Sequence, residues 1–335
     1  MKVAILFHDN CFDGLASAAL FHQFAKTHID PHLEPLFGGL MHVRPTEIGE
    51  RPMDTGPLGP WRLVGDVNAI LDFRYVVDER LHWWFDHHRS AFESDEARRH
   101  FEADETGKKY FDPSAPSCTG LLSRMLARDH GFDASAFSEL LHWAEIIDSA
   151  RFSDPKMAVE LTEPALRLMT WIESSTVFKE RETLIPLMLK KPLFELARLP
   201  FVSSALEPIL ERHWQNVEAM RSRHRREGDV VWCDLTDRVV DAVNKFIPYY
   251  LHPDARYAVV VTRTGSRSKI SIGYSPWAPP EDRQHDISVL CERYGGGGHS
   301  VVGAVSLPAE DSDRAVEIGR ELVLTLNGSA SIPAR

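Results

Sequence analysis

KVAILF at Lys2–Phe7 is followed by HDNCFDG at 8–14 and LASAALFHQFAK at 15–26. The first run is short, apolar and rich in β-formers, as a strand buried on both faces requires. The second is a polar turn. The third carries apolar residues over most of a helical face. Strand, polar turn and helix together open a parallel α/β unit. Two further strands are expected at Asn68–Phe73 (NAILDF) and His82–Phe85 (HWWF), and helices at Thr119–Leu126 and Ala136–Ile147.

The pattern changes at about Pro155. ALRLMTWIESS, ETLIPLMLKKPLFELAR and SALEPILERHWQNVEAMRSRHRRE read as successive helices, punctuated by Pro186, Pro192, Pro200 and Pro208. This stretch is either a spacer, a layer over the substrate or a dimer surface. The basic run RSRHRRE at 221–227 reads as a solvated helix end. From Asp229 a second α/β unit begins, with strands in DVVWCDL, YAVVVTRT and SKISIGY and an amphipathic helix in AVEIGRELVLTLN. The expected architecture is α/β: a parallel-sheet domain at 1–154, a helical connector at 155–228, a smaller α/β domain at 229–325 and a frayed tail at 326–335. A cleft is expected between the two domains. No internal repeat is visible.

The chain has 335 residues, with 38 Lys+Arg against 49 Asp+Glu and a net charge of −11. That balance argues against a partner such as long nucleic acid, which calls for a basic stripe. No run of about 18 apolar residues points to a membrane span. The first residues, MKVAILFHDN, are too short and too polar for a signal peptide. Four cysteines without a CxxC pair make no disulfide framework. A cytoplasmic setting is expected.

Five clusters carry potential chemistry. His8, Asp9, Cys11 and Asp13 follow the first strand within six residues, with Gly14 giving the turn room. Carboxylate and imidazole together suit a divalent cation such as Mn²⁺ or Mg²⁺; an Asp helix cap beside a buried His is the plainer alternative. Asp72 ends the second strand, as a ligand or as a turn residue. Asp86-His87-His88 follows the third strand. Side chains alternate across a strand, so one His is expected to ligate and the other to reach the substrate or to support a ligand from behind. Asp148 ends an apolar helix, with Glu145 as the competing carboxylate. Gly295–Gly298 and His299 form a run whose backbone N–H groups can approach a phosphate closely, or else a flexible loop.

The order HDNCFDG, LDF, FDHH, IIDSARF and GGGGH resembles the DHH/DHHA1 phosphoesterase superfamily, which includes RecJ-type exonucleases, nanoRNA and pAp phosphatases, cyclic-dinucleotide phosphodiesterases and exopolyphosphatases. The resemblance covers most of 1–152 and 229–325. It implies two divalent cations as cofactors, Mn²⁺ foremost. One ion would lie among His8, Asp9, Asp72 and Cys11, the other among Asp13, Asp72, His87 and Asp148, with Asp72 bridging. Cys11 stands where the family carries an Asp. Asp86 would orient the neighbouring His and His88 would touch the scissile phosphate. The GGGGH residues Gly295, Gly296, Gly297, Gly298 and His299, with Arg267 or Lys269, would hold the rest of the substrate.

The function so implied is hydrolysis of phosphodiester bonds in dinucleotides or short oligonucleotides by a hydroxide activated between two metals. A phosphomonoesterase of pAp-like nucleotides or an exopolyphosphatase is the alternative. A nucleotide-binding module with an inactive site is a third reading. The partner is a small nucleotidic or phosphate substrate, and a homodimer is compatible with the sequence.

Overall fold

A computed structural model describes residues 1–40, 63–240 and 243–328. The last seven residues of the tail expected at 326–335 lie outside them. The chain divides into two compact units, Met1–Arg151 with Thr162–Glu207, and Phe152–Leu161 with Pro208 onward. Among the described residues no helix is long and apolar enough to cross a membrane.

The first unit opens with β1 (Lys2–Phe7), α1 (Phe12–His28), β2 (Glu34–Gly39), β3 (Val67–Leu71), β4 (Trp83–Asp86), α2 (Asp95–Glu102), β5 (Lys109–Phe111), α3 (Cys118–His130) and α4 (Ser138–Asp148). Its five strands are all parallel, in the order β2-β1-β3-β4-β5. Val3–Phe7 are fully buried, because helices cover both faces of such a sheet. Alternation along β4 separates two aromatic layers. Trp84 points to a cluster with Leu6, Ile70 and Tyr75. Trp83 and Phe85 lie within 6.3 Å of the Phe21 ring of α1. The strands β2 and β5 were not expected from the sequence.

Strand order reverses between β1 and β3, the place where a doubly wound sheet leaves a crevice at its strands' carboxyl ends. Register aligns Phe7 with Leu71 and Leu71 with Phe85. The next residues, His8, Asp72 and Asp86, therefore form one row at that edge.

After α4 come α5 (Pro155–Glu160), α6 (Pro164–Ser174), α7 (Phe178–Met188), α8 (Leu193–Leu196) and α9 (Pro200–Arg223). The connector expected at 155–228 is thus helical to Arg223, but it is not a separate body. Helices α6 to α8 complete the first unit, burying Leu166, Leu168, Trp171, Leu184 and Ile185. Helix α5 joins the second unit, where Asn244 donates to the Ala158 carbonyl at 2.9 Å. Pro186 and Pro208 sit inside helices instead of ending them; for Pro186, burial of the adjoining Leu184 and Ile185 offsets the lost backbone bond.

The second unit continues with β6 (Arg225–Glu227), β7 (Val230–Val239), α10 (Ile247–Leu251), β8 (Tyr257–Arg263), β9 (Arg267–Tyr274), α11 (Ile287–Glu292), β10 (Gly297–His299), β11 (Val302–Pro308) and α12 (Ser312–Leu326). Its six strands run β10-β11-β9-β8-β7-β6, antiparallel except for β7 with β8. Residues of α11 and α12 pack on one face with Val259, Val261, Ile270, Ile272 and Val305.

Candidate active site

The first motif's tight turn depends on Gly14. A Cβ there would lie 1.9 Å from the His8 carbonyl oxygen and 3.3 Å from Asp72 Oδ2. Only glycine lets α1 start so close to the end of β1. Cys11 caps that helix, its sulfur accepting the Gly14 N–H at 3.1 Å. The same sulfur lies 3.2 Å from His8 Nδ1 and donates its proton to Asp72 Oδ2 at 3.2 Å.

Asp72 adopts φ 54°, a left-handed conformation uncommon outside glycine and tolerated best by Asn and Asp. This turns its carboxylate across the row of strand ends. One oxygen, Oδ2, faces Cys11 and lies 3.5 Å from His8 Nδ1. The other, Oδ1, lies 3.7 Å from His87 Nε2 and 3.6 Å from His88 Nδ1. Asp72 is 2% exposed, and Oδ1 has no hydrogen-bond partner.

Asp13 is anchored from α3. Its carboxylate accepts the Cys118 N–H at 2.7 Å, the Thr119 N–H at 3.0 Å and the Thr119 hydroxyl at 2.6 Å. A helix N-terminus is a natural seat for a carboxylate. Asp148, the last residue of α4, brings Oδ2 to 3.2 Å from His87 Nε2, and Asp13 Oδ2 lies 3.9 Å from it. Glu145 does not join them. It is turned to Gly120 and lies 3.7 Å from Arg124.

His87 and His88 do not diverge as strand alternation would have them. Strand β4 ends at Asp86, and the two rings sit 4.6 Å apart. Asp86 is fully buried, and its Oδ1 accepts the His87 and His88 backbone N–H groups at 2.8 and 3.2 Å and His88 Nδ1 at 2.8 Å. His88 is thereby fixed with Nε2 left over. The Nδ1–H of His87 donates to the Ala115 carbonyl at 2.9 Å, which leaves Nε2 toward the carboxylates.

Asp9 is in a different place from its neighbours. It is 3% exposed and pairs with Arg181 of α7 at 2.5 Å. Arg181 also donates to the Ser175 carbonyl. Gly39 leaves the room for the Asp9 carboxylate, since a Cβ there would meet it at 2.4 Å. Asp9, expected beside His8 as a ligand, is absent from the groups that could hold an ion. Among the described residues those groups are His8, Cys11 and Asp72; Asp72, His87 and His88; and Asp13, His87 and Asp148.

Electrostatics favour a cation here. Burial, together with the charges of Asp72 and Asp148, pushes Asp13 well above the usual carboxylate range. Burial and then Asp72 and Asp13 push the Cys11 thiol up. Burial works against a charged His87, but the close contact with Asp148 and the charges of Asp13, Asp148 and Asp72 outweigh it, raising it to about 10. The hydrogen bond with Asp86 chiefly raises His88 to about 9. Burial tends to raise Asp72, yet its bond with His8 and the three histidine charges hold it low. His87 Nε2 is buried and lacks an aligned hydrogen-bond partner, as does Asp72 Oδ1. A nitrogen lone pair held against three carboxylates needs a proton or a metal ion, so the donor set fits divalent cations.

The residues expected to hold substrate lie in the second unit. GGGGH does not form an open loop throughout: Gly297–His299 is the edge strand β10. A Cβ at Gly296 would meet the Ala304 carbonyl oxygen at 2.2 Å, and one at Gly298 the Val302 carbonyl oxygen at 2.3 Å. Gly295 and Gly297 face open space. His299 pairs with Val302, which pairs with Gly273 of β9. The register places His299, Gly273, Lys269 and Arg267 on one face, opposite α11 and α12. Gly273 and Lys269 are four residues apart, about 13 Å along a strand. Lys269 is half-buried, and burial followed by Arg267 and Lys245 lowers its pKa.

Arg181, Thr119 and Lys245 were missed in the sequence. Thr119 had a signal, because Ser117 before an apolar run marks a helix start. Ser117 caps α3, accepting the Gly120 N–H at 2.9 Å. Arg181, a lone cation in a helical run, and Lys245 had none.

No protein-family profile and no curated protein matches the chain. Solved structures do. The pGpG-specific phosphodiesterase PggH of Vibrio cholerae is 20% identical, with a TM-score of 0.68 over 98% of this chain and 100% of that one. An exopolyphosphatase-related protein from Bacteroides fragilis is 14% identical, with a TM-score of 0.51 over 97% and 93%. The DHH domain of a member of a ribosomal-protein family is 13% identical, with a TM-score of 0.51 over 97% and 87%. With motifs in the order of the superfamily and a parallel-sheet unit followed by a second sheet unit, the chain has the DHH/DHHA1 fold.

Proposed function

We propose that the chain is a metal-dependent phosphodiesterase of dinucleotides or short oligonucleotides. The observation that carries this reading is Asp72, whose two carboxylate oxygens face two different groups of ligand atoms. His8, Cys11 and Asp72 would hold one cation, and Asp13, His87, Asp148 and Asp72 the other. When bound, such a pair supplies Lewis acidity to a phosphate and lowers the pKa of water.

The chain's own residues do the positioning. Asp13 is fixed by the N-terminus of α3, and His87 by its bond to the Ala115 carbonyl. His88 is held by Asp86, whose hydrogen bond favours the protonated ring. Its Nε2–H is then a charged donor for a phosphate oxygen. In the second unit, Lys269 and His299 offer donors about 13 Å apart along the strand direction, with Arg267 two residues further on, a span suited to a dinucleotide. The likeness to a pGpG-specific phosphodiesterase over both whole chains supports that substrate class.

The test is incubation with Mn²⁺ or Mg²⁺ and a panel of a 5′-phosphorylated dinucleotide, a short RNA, a cyclic dinucleotide, pAp and polyphosphate, with chelator controls. Release of mononucleotides from the dinucleotide or the RNA supports the proposal. Cleavage of pAp or polyphosphate alone replaces it with the corresponding phosphatase. Bound metal with no turnover on any of them replaces it with a nucleotide-binding module.

A further inference from the structure

The two groups of ligand atoms sharing Asp72 differ in chemistry. Asp13, His87 and Asp148 offer oxygen and nitrogen alone. His8, Cys11 and Asp72 add a sulfur, 3.2 Å from both His8 Nδ1 and Asp72 Oδ2. A thiolate discriminates among metals: it favours borderline ions over Mg²⁺, whereas carboxylate-rich sites suit Mg²⁺ and Mn²⁺. The plainer role for Cys11 is a helix cap, since its sulfur accepts the Gly14 N–H. Capping does not account for the rest of the arrangement. It needs no imidazole beside the sulfur and no buried carboxylate aimed at it. Asp72 is 2% exposed, and the oxygen it turns to the sulfur, Oδ2, also lies 3.5 Å from His8 Nδ1.

We infer that Cys11 is a thiolate ligand of the His8–Asp72 site, so that the two ion sites prefer different metals: a borderline ion such as Zn²⁺, Co²⁺ or Fe²⁺ in the sulfur site, and Mn²⁺ or Mg²⁺ in the site of Asp13, His87 and Asp148. The inference rests on the two-cation reading above. As the sulfur–metal bond forms, the thiol S–H breaks and its proton leaves to solvent; no electron is transferred. Removing an outer partner of a metal ligand typically costs about 10–100-fold in affinity, so removing the sulfur itself costs at least about 100-fold for Zn²⁺ at this site.

The experiment is a Co²⁺ titration of metal-free protein, followed by near-ultraviolet absorption, with bound metal counted separately. The other three cysteines, Cys118, Cys233 and Cys291, are buried, and none belongs to a potential ion site, so they give little background. The expected result is two bound equivalents, with a thiolate-to-cobalt charge-transfer band that saturates at one. Zn²⁺ should erase the band and excess Mg²⁺ should not. In Cys11→Asp the band should vanish while two equivalents still bind, and Mg²⁺ should now compete at both sites. Two bound equivalents without a band in the wild-type protein would overturn the inference and leave the two-cation reading standing. So would a band that survives in Cys11→Asp. Binding of one equivalent or none would overturn both. If Cys11→Asp fails to fold, the wild-type spectrum and Mg²⁺ competition decide the matter alone.

Discussion

Replacing Arg181 by Leu leaves the Asp9 carboxylate 3% exposed without the guanidinium that sits 2.5 Å away. Removing one partner of a buried ion pair costs up to about 3–5 kcal/mol, the full figure applying only where no other interaction holds the remaining charge. In a unit of roughly 200 residues that corresponds to a melting-temperature loss of up to about 6–20 °C. Asp9 lies between His8 and Cys11, so the same variant should also weaken Co²⁺ or Mn²⁺ binding, although Arg181 touches no potential ligand of the ions. Thermal unfolding of Arg181→Leu, Asp9→Asn and the double variant closes a mutant cycle. The double variant should be more stable than Arg181→Leu, since it no longer buries a carboxylate charge, with a coupling of about 0.5–3 kcal/mol. Melting of Arg181→Leu within about 2 °C of wild type, or additive losses in the double variant, would refute the reading that Arg181 compensates the buried Asp9 charge.

Three more predictions rest on the same geometry. His87 and His88 are raised to about 10 and 9 from 6.5, so their contribution to the stability of metal-free protein is complete below pH 6.5 and is lost as pH rises through about 9 to 10; denaturant unfolding across that range checks it, and rising stability would contradict it. Gly298→Ala should destabilise the second unit, because its Cβ would meet the Val302 carbonyl oxygen at 2.3 Å, whereas Gly297→Ala, facing open space, should melt like wild type; equal melting temperatures would remove the packing role of the glycine run. Thr119→Val removes the 2.6 Å hydroxyl bond to Asp13 and should cost about 1.5–3 kcal/mol in metal-free protein, read by urea unfolding; a loss below about 0.5 kcal/mol would show that the helix N-terminus alone seats Asp13.

Much of the first unit was legible because buried parallel strands advertise themselves. KVAILF, NAILDF and HWWF are apolar runs that stop at a polar residue, and those residues form the row at the sheet's edge. Strands β2 (EPLFGG) and β5 (KYF) carry Pro and Gly or only three residues, and pairing with neighbours defines them more than composition does. Within HDNCFDG, sequence proximity could not tell which side chains turn inward. The helix start points Cys11 at Asp72, while Asp9 answers to an Arg 172 positions away. Strand alternation does not describe the two histidines for a related reason: it holds only while the strand lasts, and β4 ends at Asp86, just before them. The glycine run read as a phosphate-binding turn or a flexible loop because a short edge strand of glycines has no apolar signature, and only its pairing with β11 reveals the strand.

The central claim is that the residues gathered around Asp72 would hold the divalent cations needed to hydrolyse the phosphodiester bond of a short nucleotide. The most direct measurement is the release of mononucleotides from a 5′-phosphorylated dinucleotide by metal-loaded wild-type protein and by Asp72→Asn, with bound metal determined in both. The expected result is turnover in the wild type that a chelator stops. In Asp72→Asn that turnover should be lost, together with weakened binding of both ions. Undiminished turnover in Asp72→Asn, or two tightly bound ions in the wild type with no cleavage of the dinucleotide, would contradict the claim.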